Sequence, residues 1–225
     1  DTYIRQAKAK LDALGTPLKA KTSAWFFKTG EGQYGAGDVF IGITVPEQRI
    51  VAKKCADDLM KLCAESGNKN FPSAQILKLL SNKIHEYRLT ALLVLDYLYS
   101  DKKSNDSLKK QIFDFYISNL AYVNNWDLVD SSARDIVGAH LCQFKKNNTE
   151  RLKLLKAWAL SEDLWIRRVA IVSTHYFINK SEFELTLKVS EILLKDKHDL
   201  IHKAVGWMLR EMGKKDEKVL CQFLD

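Results

Sequence analysis

The chain has 225 residues, of which 46% are hydrophobic and 28% are charged, and this composition excludes intrinsic disorder. Its 35 Lys and Arg residues outnumber its 28 Asp and Glu residues, so the formal charge of +7 favours a polyanionic partner without identifying one. No apolar run has the length of a membrane span, and residues 1–5 begin an amphipathic pattern rather than a signal peptide. We therefore expect a soluble, cytoplasmic protein that does not bind a membrane.

Apolar residues recur at intervals of three and four along almost the whole chain, which predicts helices. Capping boxes at 44–47 and 181–184 mark two helix starts. A Gly-rich stretch, 29–42, interrupts the pattern, and 39–45 is the one candidate strand. The predicted helices cover 4–14, 18–27, 46–66, 73–81, 86–99, 107–122, 126–144, 150–160, 162–177, 182–194 and 200–212.

This pattern predicts an all-α fold. Helices joined by short polar links form successive pairs of about 35 to 45 residues, which is the period of HEAT-like repeats. We expect residues 1–225 to form a single HEAT-like solenoid domain whose basic concave face has the width of duplex DNA. The repeats resemble one another only weakly in sequence, so a compact helical bundle is the alternative.

Three motifs with apparent chemistry are rejected at this stage. The string G-x-G-x-x-G at 30–35 follows a helix rather than a strand, so we expect a flexible or shaped loop and not a dinucleotide site. His198 and His202 are four residues apart, but no third metal ligand is near them. Ser131, His140 and Asp130 form a hydrolase triad only on paper, because the nucleophile-elbow sequence is absent.

The cysteines have neither C-x-x-C spacing nor a histidine at metal-ligand spacing. We expect reduced core thiols, and neither a metal nor another cofactor. The four are Cys55, Cys63, Cys142 and Cys221.

Two helical faces combine aromatic and charged side chains. Trp126 and Asp130 are an i,i+4 pair, so one helical turn places an indole beside a carboxylate. Lys203, Trp207 and Arg210 share a second helix face by the same spacing. Such faces suit a cationic ligand attached to an anionic backbone. The alternative interpretation is structural, with Trp126 packed in the protein and Asp130 paired with Arg134.

The other tryptophans are less informative. Trp25 and Trp158 lie among apolar neighbours and are predicted to be core residues. Trp165 precedes Arg167 and Arg168, which leaves packing and support of a site equally open.

Five segments in order along the chain resemble the bacterial DNA alkylation repair enzymes of the AlkD family, which are HEAT-like-repeat DNA glycosylases. They are AWFFKTG at 24–30 with the Gly-rich loop, GITVPEQR at 42–49, WDLVD at 126–130, WIRRVAI at 165–171 and KAVGWMLRE at 203–211.

The resemblance implies hydrolysis of the N-glycosidic bond of cationic N3- or N7-alkylpurines, such as 3-methyladenine and 7-methylguanine, in double-stranded DNA. The lesion is expected to remain in the duplex, and the enzyme is expected to act as a monomer. The family's catalytic carboxylate corresponds to Asp130, and its two indoles correspond to Trp126 and Trp207. Its phosphate-binding arginines correspond to Arg168 and Arg210.

Three further residues are assigned supporting parts. Lys203 is expected to assist the two arginines at the DNA backbone, and Phe26 and Trp165 are expected to support the site. Some relatives have tyrosine in place of Phe26, so a contact that needs its hydroxyl is in doubt in this chain. The last helix of some relatives is expected to be absent or shortened after 223–225.

The main rival hypothesis is a HEAT-like scaffold that binds nucleic acid or protein without activity. A scaffold has no reason to carry a carboxylate on a surface that faces DNA, because the carboxylate would repel the phosphates. A base-flipping glycosylase of the helix-hairpin-helix kind is the weaker rival, because neither its Gly/Pro hairpin nor a four-cysteine cluster is present.

Overall fold

A computed structural model of the chain describes residues 2–65, 71–145 and 147–225, with the side chains of residues 63–65 left out. All regular secondary structure in these ranges is helical, which confirms the all-α class. The candidate strand at 39–45 contributes an isolated bridge between Val39 and Ile84 and no strand within the described ranges.

The chain forms two compact units, Asp1–Ser131 and Ser132–Asp225. The single domain over 1–225 stays a prediction. The helices of the first unit are α1 (Thr2–Leu14), α2 (Pro17–Phe26), α3 (Val45–Glu65), α4 (Ser73–Leu80), α5 (His85–Ser100), α6 (Asp106–Ser118), a 3₁₀ turn (Leu120–Tyr122) and α7 (Trp126–Asp130). Those of the second are a π-helical segment (Ala133–Gly138), α8 (Ala139–Phe144), α9 (Asn148–Ala159), α10 (Leu164–Ser173), α11 (His175–Ile178), α12 (Glu184–Leu193), α13 (Asp199–Gly213) and α14 (Glu217–Leu224).

Helix α5 is the centre of the first unit. It packs against α1, α3, α4, α6 and α7, and consecutive apolar side chains around its whole circumference are buried. A helix that is apolar on every side is expected in the interior. The first turn of α5 differs, because its buried side chains include the ionisable His85, Glu86 and Arg88.

The Gly-rich stretch is a shaped loop, one of the two forms expected for it. The Glu86 carboxylate accepts hydrogen bonds from the backbone N–H groups of Ile41, Gly42 and Ile43, at 3.1, 2.7 and 3.4 Å. Gly42 has a φ of 84°, and a Cβ there would lie 2.2 Å from the carbonyl oxygen of Thr16. Only glycine meets both conditions. The loop is therefore fixed against α2 and α5.

The second unit is built from helix pairs that pack on their neighbours. Helix α9 packs against α10 and α12, and both of these pack against α13. This arrangement of pair on pair is consistent with the predicted helical repeat. Gly138 in the π-helical segment allows close packing, because a Cβ would lie 2.3 Å from the Ser173 carbonyl oxygen.

The helix predicted over 126–144 is interrupted. Helix α7 ends at Asp130, and regular structure resumes as the π-helical segment from Ala133. Ser131 and Ser132 separate them, and Ser132 has φ −135° and ψ −37°. Serine hydroxyls compete for backbone hydrogen bonds and are neutral to unfavourable in helix interiors, which accounts for a break at two adjacent serines.

Helix ends were predicted with mixed success. Thr44 donates its backbone N–H to the Glu47 carboxylate at 2.8 Å, as a capping box requires. The capping box at 181–184 was wrong, because α12 begins after Phe183 without a side-chain cap. Glu184 instead accepts a hydrogen bond from Asn148.

Helix α14 was missed in the sequence. It is capped by Asp216, which accepts from the Val219 N–H at 3.1 Å, and it packs against α13.

The cysteines do not all lie in the core. Cys55 is buried, and burial raises the pKa of its thiol to about 11. Cys142 is partly exposed and Cys221 is exposed, so the core prediction was wrong for Cys221. The side chain of Cys63 lies outside the described residues.

Trp25 is 73% exposed and Trp158 is partly exposed, so the prediction of a core residue was wrong for Trp25.

Candidate functional site

Helix α7 carries the indole and the carboxylate that were singled out in the sequence. Asn125 is its N-cap, and the Asn125 side-chain oxygen accepts a hydrogen bond from the Trp126 N–H at 2.8 Å. Trp126 begins the helix and Asp130 ends it, and both are partly exposed. One helical turn therefore presents both groups at a surface that a ligand can reach.

The Trp126 indole is held by two phenylalanines at the end of α2. The Phe27 ring stacks on it with centroids 5.2 Å apart and an angle of 11° between the planes. The Phe26 ring meets it edge-on, at 5.9 Å and 74°. Phe26 is 54% exposed and therefore lies at the surface beside Trp126. Aromatic pairs in these geometries add about 0.5 to 1.5 kcal/mol beyond the area they bury.

A buried ionic cluster lies behind this aromatic surface. His85 bonds to two carboxylates, with Nδ1 3.0 Å from Asp38 Oδ2 and Nε2 2.7 Å from Asp127 Oδ2. Arg88 donates through Nη2 to Asp38 Oδ1 at 2.6 Å, and Asn125 donates through Nδ2 to Asp38 Oδ2 at 3.0 Å. Two carboxylates thus face two cations when His85 is protonated, which leaves the cluster neutral.

The contacts of the His85 ring favour its charged form. Burial opposes protonation, but the charge of Asp127 and the hydrogen bonds to Asp127 and Asp38 outweigh it and raise the pKa of His85 to about 9. Burial likewise opposes ionisation of Asp38, yet its bonds to His85, Arg88 and Asn125 lower the pKa of that carboxyl below its usual value. At neutral pH the imidazolium therefore lies between two carboxylates.

The cluster distinguishes the two carboxylates of α7. Asp127 is 8% exposed, its Oδ2 is paired with His85, and its side chain lines the pocket described below. Asp130 is partly exposed. Of the two, Asp130 is the more exposed.

A pocket of about 420 Å³ opens beside the cluster. Its walls include Phe27, Phe40 and His85, and the Phe40 ring stacks on His85 at 4.6 Å. Trp126 and Asp130 are not among its lining residues. A ligand that contacts the indole and the Asp130 carboxylate therefore binds outside this pocket.

In the second unit, α13 presents the other predicted aromatic face. Its buried side chains occupy one side, whereas Lys203 and Arg210 are exposed and Trp207 is partly exposed. Lys203 donates to Asp199 at 2.8 Å and Arg210 donates to Glu211 at 3.4 Å. Surface pairs of this kind contribute little stability, so both cations can exchange partners for phosphates.

The Trp207 ring lies 5.7 Å from the His175 ring. Burial and, next, the nearby charge of Arg134 lower the pKa of His175 below its usual value, so this imidazole is neutral at pH 7. Arg134 itself donates to the Asp135 carboxylate at 2.8 and 2.7 Å within the second unit.

Arg168 and Trp165 lie on α10. Trp165 is partly exposed. Arg168 is only 5% exposed and donates through Nη1 to the Leu200 carbonyl oxygen, so the side chain also links α10 to α13. Its predicted contact with a DNA phosphate stays a prediction, as do the roles of the other site residues.

Sequence reasoning missed the buried cluster of Asp38, His85, Arg88 and Asp127. One signal was available in the turn that opens α5, where three ionisable residues precede an apolar run without the usual polar face.

Among the described residues, no group of three or more His, Cys, Asp or Glu side chains is arranged to hold a metal ion. No helix within the described ranges is both long and apolar enough to cross a membrane.

These features define an all-helical protein with an aromatic and carboxylate surface on one short helix. The family model of the DNA alkylation repair enzymes matches residues 7–225. The chain belongs to this family, and its role is in DNA repair.

A solved structure gives an independent likeness of fold. It is described as a predicted DNA alkylation repair enzyme from Enterococcus faecalis, with 18% sequence identity and a TM-score of 0.66 over 93% of this chain and 88% of that one. At this identity the likeness concerns the fold alone. A search among proteins of curated function finds no match.

Proposed function

We propose that this protein is a DNA glycosylase of the AlkD kind. It hydrolyses the N-glycosidic bond of cationic N3- and N7-alkylpurines in duplex DNA, and the damaged base stays in the duplex. Membership of the DNA alkylation repair family and the net charge of +7 support a DNA substrate. The observation that carries the proposal is the pair of Trp126 and Asp130, which are both accessible within one turn of α7.

The leaving group explains why so few residues are needed. Alkylation at N3 or N7 gives the purine a formal positive charge, so it departs without being protonated and no general acid is required. As the bond stretches, positive charge moves to the deoxyribose, as in the hydrolysis of other glycosides. An ionised Asp130 stabilises that charge and orients the attacking water.

The aromatic residues bind the cationic nucleotide. Trp126 and Trp207 offer their electron-rich faces, each contributing about 0.5 to 2 kcal/mol. Phe27 and Phe26 restrict the Trp126 indole, so little rotational freedom is lost when the substrate binds.

The cations bind the DNA backbone. Arg210 and Lys203 are exposed on the same side of α13 as Trp207 and contact phosphates directly. Arg168, which also donates to the Leu200 carbonyl oxygen, contributes a further phosphate contact from α10. Phosphate contacts fix the register of the duplex without reading its sequence.

The proposal places the lesion outside a base-reading pocket. The pocket beside His85 is large enough for a small ligand, but neither Trp126 nor Asp130 lines it. An extruded base in that pocket would lie apart from the proposed catalytic carboxylate, whereas base-flipping enzymes place both in one pocket.

Base release tests the proposal against the rival scaffold. Methylated duplex DNA is incubated with an excess of the protein, and free 7-methylguanine and 3-methyladenine are measured by chromatography. The glycosylase releases both bases and leaves abasic sites. A scaffold binds the same duplex and releases neither, so duplex binding without base release would contradict the proposal.

A further inference from the structure

The buried cluster has a geometry that serves α7. Asp127 directly follows Trp126 in the chain, and Asn125 directly precedes it and caps the helix. Both are held by the cluster, Asp127 through His85 and Asn125 through Asp38. The residues on each side of the Trp126 backbone are therefore fixed by buried polar bonds.

His85 is the link between two parts of the first unit. Its Nδ1 faces Asp38 in the Gly-rich loop, and its Nε2 faces Asp127 in α7. The side chains of His85 and Asp38 are 2% and 6% exposed, so water does not replace these bonds. An imidazole with a carboxylate at each nitrogen donates from both, which only the charged form can do.

We propose that His85 is a positioning residue, which holds α7 against the Gly-rich loop and thereby fixes Trp126 and Asp130 in the geometry that excision requires. The role rests on the proposed glycosylase function. The Gly-rich loop then also has a structural role, because Asp38 in this loop is one of the two carboxylates that hold His85.

Other charged and aromatic groups surround His85, and Glu86 and Lys19 line the same pocket. Arg88 faces the same Asp38 carboxylate, and its charge opposes protonation of His85. Phe27 and Phe40 cover the imidazole at centroid distances of 4.9 and 4.6 Å. Loss of the His85 proton would leave two carboxylates and one cation in this buried space.

The first test replaces His85 with glutamine, which is uncharged and cannot donate to two opposite carboxylates. We expect single-turnover excision of 7-methylguanine to fall about tenfold or more, as for other small displacements of reacting groups. The Kd for the duplex stays within about twofold, because no phosphate contact is changed. In the wild type, excision declines as the pH rises through about 9, and His85→Gln lacks this alkaline decline.

The second variant, Asp38→Asn, keeps the histidine and removes one carboxylate that holds its proton. We expect the alkaline decline of excision to move to lower pH. The control is Tyr87→Phe, on the same helix as His85. It removes the hydrogen bond from Tyr87 to Asp12 of α1 and does not touch α7. Its excision profile should match that of the wild type.

These outcomes separate positioning from mere stabilisation. A folded His85→Gln protein with the wild-type rate and pH profile would overturn the role of His85. If His85→Gln fails to fold, an unshifted profile in Asp38→Asn would overturn it instead.

A measurement without activity distinguishes failure of this inference from failure of the proposed function. In NMR spectra, the indole N–H resonance of Trp126 should shift with the same midpoint as the ring resonances of His85. A wild type that releases no base contradicts the glycosylase proposal but leaves this experiment valid. A Trp126 resonance that does not follow His85 contradicts the positioning role.

Discussion

His85 Nε2 lies 2.7 Å from Asp127 Oδ2, and this contact joins the first turn of α5 to the helix that carries Trp126. The two residues are separated by 42 positions in the chain. Their carboxylate and imidazolium form an ion pair with little access to solvent, so its strength depends on the protonation of His85.

The first prediction concerns stability and pH. The folded-state pKa of His85 is about 9, above its ordinary value of 6.5, so protonation stabilises the fold fully below pH 6.5. This contribution declines as the pH rises from 6.5 and is lost above about 9, a change of roughly 3 kcal/mol in the free energy of unfolding.

Urea unfolding at pH 6.5 and 9.5 measures this change. His85→Gln should be less stable than the wild type at pH 6.5 and should lose much less stability between the two values. A wild type as stable at pH 9.5 as at pH 6.5 would contradict the assignment of a charged imidazole.

Helical periodicity predicted most of the fold because helix formation depends on neighbours three and four residues away. It did not predict the break at Ser131 and Ser132, where the hydrophobic pattern continues but the backbone does not. It also missed α14, whose eight residues give too short a pattern beside the long α13.

Helical spacing also accounts for the part of the candidate site that the sequence reveals. The spacing of Trp126 and Asp130 is visible because both lie in one helical turn. The bonds from His85 to Asp38 and Asp127 join residues 47 and 42 positions apart, so only the packing of α5, α7 and the Gly-rich loop brings them together.

The second prediction concerns Arg210 and the DNA backbone. Arg210→Ala should weaken binding to damaged and undamaged duplexes alike and reduce the slope of log K against log salt concentration by about one, because one phosphate contact is lost. Lys188→Ala is the matched control, an exposed lysine of the same unit that pairs with Glu191 at 3.2 Å. A loss confined to damaged DNA would point to lesion recognition instead.

Arg168→Ala should have the same effect on binding and an additional effect on folding. Its removal leaves the Leu200 carbonyl without this donor, which costs about 1 to 3 kcal/mol of stability. Chemical unfolding and fluorescence titration with a duplex measure the two effects separately. A folded variant that binds as tightly as the wild type would contradict a phosphate contact at Arg168.

The third prediction concerns Gly206, which lies exposed on α13 between Lys203 and Arg210. Apart from its chain neighbours and the backbone of its own helix, no atom of the described residues lies within 4 Å of the position that a Cβ would take. Gly206→Ala should therefore stabilise the fold by about 0.5 to 1 kcal/mol, because alanine favours the helix. It should nevertheless weaken duplex binding, because the added methyl group lies between Lys203 and Arg210 on the side of α13 that is proposed to face the phosphates.

The control for bulk is Ala157→Leu on the exposed side of α9, which should bind DNA as the wild type does. Thermal unfolding and duplex titration of both variants measure the opposed effects. A more stable Gly206→Ala protein with unchanged affinity would show that DNA does not approach α13 at this point.

The fourth prediction concerns the choice of lesion. The proposed site offers a carboxylate and aromatic faces but no acid for a neutral leaving base, so uracil and hypoxanthine should be poor substrates. A bulky cationic N7 adduct should be excised, because no pocket encloses the base, and free 3-methyladenine should inhibit only weakly. Rapid removal of uracil, or strong inhibition by the free base, would reveal a base-reading pocket.

The most direct test of the glycosylase proposal is single-turnover release of 7-methylguanine from a methylated duplex by the wild type and by Asp130→Asn. We expect the substitution to lower the rate by at least about 10²-fold with little change in duplex affinity, because it removes one preorganised charge. Asp57→Asn, at an exposed carboxylate of α3 that pairs with Lys53, should retain the wild-type rate. Release by Asp130→Asn at the wild-type rate would contradict the assignment of Asp130 as the catalytic carboxylate.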